Sequence, residues 1–68
     1  MTMPDERTRA VIYTKDFLYS LLDPKVTPKV PRAVRQQAGR CLRHYPGMYD
    51  ILEAVKHAPK TWGKPDAP

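Results

Sequence analysis

Five internal prolines, Pro24, Pro28, Pro31, Pro46 and Pro59, divide this chain into three segments, each long enough for a helix and too short for much else. A proline ring removes the helical hydrogen bond at its own nitrogen and pushes the preceding residue out of the helical region, so a regular element does not run through it. Within each segment the apolar residues recur every three to four positions, the period of an amphipathic helix, and no two-residue alternation competes. The expected fold is all-α: a small three-helix domain with an extended Pro-rich connection between helices 1 and 2.

The first helix should open at Thr2-Met3-Pro4-Asp5. The Thr2 hydroxyl is placed to cap free amides, Pro4 suits the first turn, and Asp5 and Glu6 complement the positive end of the helix dipole. Running to about Leu22, this helix would bury Ala10, Val11, Thr14, Phe17, Leu18, Leu21 and Leu22. Three prolines between Asp23 and Pro31 favour polyproline II geometry. Pro28-Lys29-Val30-Pro31 has the spacing of a proline-rich ligand, but a stiff crossing of the core is the expected role. The second helix, with Pro31 at its start, would bury Val34, Ala38, Cys41, Leu42 and Tyr45. After the break at Tyr45-Pro46-Gly47, a third from Met48 to His57 would turn Met48, Ile51, Leu52, Val55 and Ala58 inward. Together these make one helical domain over residues 1–59, with a Pro/Gly-rich tail over residues 60–68.

Charge is segregated along the chain. The formal net charge is +5, and between Pro24 and Gly47 stand Lys25, Lys29, Arg32, Arg35, Arg40 and Arg43 with no Asp or Glu among them. The flanking segments are close to neutral, so the whole excess arises in the middle third, a distribution suited to a polyanionic or acidic partner. Arginine donors without acidic neighbours are free for phosphates or carboxylates. The competing assignment is a solvated face paired with Asp16, Asp23, Asp50 and Glu53 on neighbouring helices.

A chain of 68 residues buries only ~60% of the surface its unfolded form exposes, and one core of this size supplies no more than ~3 to 5 kcal/mol. Cys41 is the sole cysteine, which excludes an internal disulfide. A zinc site would need it with His44, His57 and a carboxylate at none of the usual spacings, so no metal or cofactor is expected. A reducing cytoplasm is the expected compartment. Neither a cationic, apolar leader nor a run of ~20 apolar residues is present, and export by a signal peptide or a membrane span is not expected.

The opening Met3-Pro-Asp-Glu-Arg-Thr-Arg-Ala-Val11, the segment Val30-Pro-Arg-Ala-Val-Arg-Gln-Gln-Ala38 and the sequence Leu42-Arg-His-Tyr-Pro46 resemble a family of short, functionally uncharacterised proteobacterial proteins found in genera such as Pseudomonas and Burkholderia. The resemblance covers about the first 60 residues and is weakest from Lys60 onward. It implies a compact bacterial domain and transfers no catalytic or binding residue.

An enzyme would need a preorganised pocket with a nucleophile, an acid–base pair or a metal. Cys41 and His44 are three apart on one helix, but Cys41 falls on the apolar face, where a buried, inert thiol is expected. A helix-turn-helix is disfavoured because the outer face of its second helix would offer Tyr49, Asp50 and Glu53 to phosphates. Two binding modes remain. In the first, a small cytoplasmic binding or regulatory protein docks through Lys25, Lys29, Arg32, Arg35, Arg40 and Arg43 onto nucleic acid or an acidic protein. In the second, an apolar patch of Ile12, Tyr19 and Trp62 binds a protein or a second copy, so that the chain is a monomer or a homodimer. Salt separates them, since polyanion binding weakens steeply as salt rises and apolar association persists. Trp62 itself is expected to fold back onto Ile12 and Tyr19, contributing about 1.5 to 3 kcal/mol.

Overall fold

The computed structural model describes residues 2–66, and Ala67 and Pro68 of the expected tail lie outside them. Three helices and no strand are found among these residues: α1 (Pro4–Leu22), α2 (Arg32–Arg43) and α3 (Met48–His57). The proline boundaries therefore act as the sequence dictates. The chain divides into two compact units, with breaks between Ile12 and Tyr13 and between Tyr45 and Pro46. The outer segments form the first unit and Tyr13–Tyr45 the second.

In the first unit, the start of α1 is built differently from the expected Thr2 cap. Met3 occupies the cap position: its carbonyl accepts from the Arg7 amide at 3.1 Å, and its amide donates to Glu6 Oε1 at 2.8 Å. Thr2 instead serves Arg7, whose Nη1 donates to Thr2 O at 2.7 Å and to Thr2 Oγ1 at 3.1 Å. The same guanidinium reaches the tail, donating from Nε to Thr61 O at 2.9 Å and from Nη2 to Lys60 O at 3.3 Å. Arg9 repeats the device two residues along, donating to Pro65 O at 3.2 Å while pairing with Asp5 at 2.7 Å. Residues 60–65 are thus pinned to α1 by two arginines. Trp62 is half-buried and lines a cavity of about 240 Å³ with Thr8, Val11, Pro46, Asp50, Ile51 and Ala54. The expected docking of Trp62 is found, but its neighbours around this cavity are Thr8 and Val11 rather than Ile12 and Tyr19. Thr8, fully buried, satisfies its hydroxyl by donating to Pro4 O at 3.1 Å.

Gly63 passes so close to α1 that a Cβ there would lie 2.6 Å from the Asp5 nitrogen and 2.9 Å from its Cα. Both are backbone atoms and cannot rotate aside. Gly63→Ala should therefore lift the tail and lower stability by about 1 to 3 kcal/mol. Urea unfolding checks this, and a variant as stable as the parent would contradict the docked tail.

In the second unit, the connection between α1 and α2 is not the extended strap that its prolines suggest. Val26 and Thr27 amides both donate to Asp23 O, at 3.1 and 3.0 Å, and the Lys25 amide donates to Asp23 Oδ1 at 2.9 Å, which curls the chain into turns. Lys29 sits at φ 66°, in the left-handed region, which excludes a continuous polyproline II run through Pro28–Pro31. The reason is local. Proline fixes its own φ and biases its predecessor, but Lys25, Val26 and Lys29 lie outside that control, and Asp23 organises a turn through its carbonyl and side chain.

The buried faces are also rotated from the expected stripes. On α1, Thr8, Val11, Ile12, Lys15, Leu18 and Leu21 are buried or half-buried, while Ala10 and Thr14 are exposed and Phe17 is 60% exposed. At ~100° per residue this places the buried arc about 70° from the predicted one. On α2, Ala38 is buried and Leu42 half-buried, whereas Cys41 is exposed and Val34 is 41% exposed. The buried inert thiol predicted at Cys41 is thus corrected to an exposed one. On α3, Ile51 is buried and Val55 and Ala58 half-buried, but Met48 and Leu52 are each 50% exposed. Thr8, Ala38 and Ile51 are the buried residues among those described.

Candidate polyanion-binding surface

All six predicted basic residues fall in the second unit, Tyr13–Tyr45, which holds seven Lys and Arg against two Asp. They do not all play one part. Helix α1 ends at Leu22 with no basic residue in its last turn, leaving its final carbonyls and the negative end of its dipole without a local cation. Arg35 supplies it from α2. Its Nη1 donates to Leu21 O and its Nη2 to Thr27 O, both at 2.7 Å. Thr27 assists by donating its hydroxyl to Ser20 O at 2.6 Å. Arg35 is therefore a half-buried clamp between the end of α1 and the connection, and stands apart from the exposed cations of the expected docking set.

The signal for that assignment lies in helix phase. At ~100° per residue Arg35 is about 60° from buried Ala38 and about 20° from Leu42, on the margin of the buried arc. Arg32, Arg40 and Arg43 instead share an arc of about 80° on the other side. All three are exposed, as are Lys25 and Lys29. Within the described residues none of these five side chains makes an ion pair or a hydrogen bond.

The carboxylates proposed as their partners are engaged elsewhere or stand apart. Asp50 accepts from the Gly47 amide at 3.0 Å to close the start of α3, and Glu53 meets His57 Nε2 at 3.1 Å. Asp23 Oδ1 accepts from the Lys25 backbone. Asp16 is exposed and makes no ion pair with these cations.

The three residues of the alternative patch have different surroundings. Trp62 and Ile12 are half-buried in the first unit. Tyr19, in the second, is 52% exposed, with the Lys15 ammonium 6.0 Å from its ring centre. Sequence reasoning missed Arg7 and Arg9 as tail anchors and Tyr13 and Phe17 as exposed rings. Among the described residues, no three of His, Cys, Asp and Glu gather to hold a metal ion, and no helix is long and apolar enough to cross a membrane. No family model matches the chain, and no curated protein or solved structure is significantly similar to it.

Proposed function

We propose that this chain is a small cytoplasmic binding or regulatory protein, not an enzyme, that docks through its basic second unit onto an acidic surface. The observation that carries this reading is the set Lys25, Lys29, Arg32, Arg40 and Arg43, exposed and without ion pairs among the described residues. Five unneutralised cations with two aspartates in the same unit create a field that draws polyanions and repels other basic surfaces. Kinship with the short proteobacterial proteins noted above belongs to the same proposal and assigns no residue.

Retention on immobilised heparin tests it. Arg40→Gln with Arg43→Gln should elute at clearly lower salt than the parent. Lys60→Gln with Lys64→Gln, which removes the same charge from the first unit, should shift elution much less. Stability should change by no more than about 0.5 kcal/mol in either pair. Equal shifts in the two double variants would mean that net charge alone is read, and would overturn the assigned surface.

A further inference from the structure

The second unit combines its cations with aromatic rings that the fold leaves outside. Tyr13 is 62% and Phe17 60% exposed. Four residues apart on α1, they lie about 40° from one another, with Cβ atoms about 5–6 Å apart. Nothing in amphipathic folding accounts for Phe17, the chain's only phenylalanine, standing on the open side of its helix.

Resting on the polyanion reading above, we infer that the Tyr13–Tyr45 unit takes single-stranded nucleic acid, with Arg32, Arg40 and Arg43 on phosphates and Tyr13 and Phe17 on bases. Single-strand binders combine cationic side chains that follow the backbone with exposed rings on which bases stack, because every base has a π-face. Duplex DNA keeps its bases stacked internally, so the two rings would gain little from it. A second copy of this chain is the poorer occupant, since symmetric pairing of this unit sets seven Lys and Arg against seven. An acidic protein satisfies the arginines but has no particular use for two adjacent rings.

The experiment is fluorescence anisotropy of the full chain with labelled oligo-dT of about fifteen nucleotides, a length that spans a typical single-strand site, and with a duplex of equal length. Poly-glutamate, labelled in the same way, is the third probe. The single strand should bind more tightly than the duplex, and Tyr13→Leu or Phe17→Leu should each weaken it about fivefold or more while leaving duplex binding unchanged. Both residues are exposed, so circular dichroism should show the fold intact in the variants. Equal affinity for single strand and duplex, unmoved by the ring substitutions, would overturn the stacking inference and leave the polyanion reading standing. Poly-glutamate binding with no oligonucleotide binding would overturn nucleic acid as the partner. Binding to none of the three would overturn both.

Discussion

Trp62→Ala should lower the unfolding free energy by about 2 kcal/mol, a large share for a chain of this size. The ring is a wall of the cavity formed by Thr8, Val11, Ile51 and Ala54, and removing it opens the first unit around one of its few buried residues. It also frees the segment that Arg7 and Arg9 hold to α1. Urea unfolding followed by circular dichroism measures the loss, and Trp62→Phe should recover part of it. A loss below ~0.5 kcal/mol, in the range of surface substitutions, would contradict the docking. So would parent emission at the fully hydrated wavelength.

Arg35→Ala should cost about 2 to 3 kcal/mol, because two carbonyls lose donors from a charged group at once. Arg35→Lys should rescue only partly. A single ammonium cannot reproduce the planar fork that reaches Leu21 O and Thr27 O together. The contrast with Arg40→Ala, expected within about 0.5 kcal/mol of the parent, separates the clamp from the open arc. If the two alanine variants are equally mild in thermal unfolding, the clamp is wrong. Arg35 then rejoins the binding strip.

The helix ends were legible in the sequence because they are set locally. Pro4 at the first position of α1, Pro31 at the cap of α2 and Gly47 with Asp50 at the start of α3 act within a few residues of themselves. Helix phase was not legible. Apolar residues occur almost all around α1, with Ile12 and Tyr19 opposite Phe17 and Leu21, so periodicity alone leaves the buried arc undetermined by a quarter turn. What fixes it is non-local: the return of residues 60–65 and the closure of the Arg35 clamp, neither of which leaves a spacing signature. The basic surface was readable as composition because it needs only charge and exposure. Its membership was not, since Arg35 differs from Arg40 in where a helix end happens to leave carbonyls without donors.

The central claim, that the cations of the second unit form an open surface for polyanions, is tested most directly by the salt dependence of oligo-dT binding between about 50 and 200 mM salt. If Lys25, Lys29, Arg32, Arg40 and Arg43 each meet a phosphate, the logarithm of the affinity should fall against the logarithm of salt with a slope of about −3.5, and Arg40→Gln with Arg43→Gln should reduce the steepness by about 1.4. A slope near zero, or one that the double variant leaves unchanged, would contradict the account.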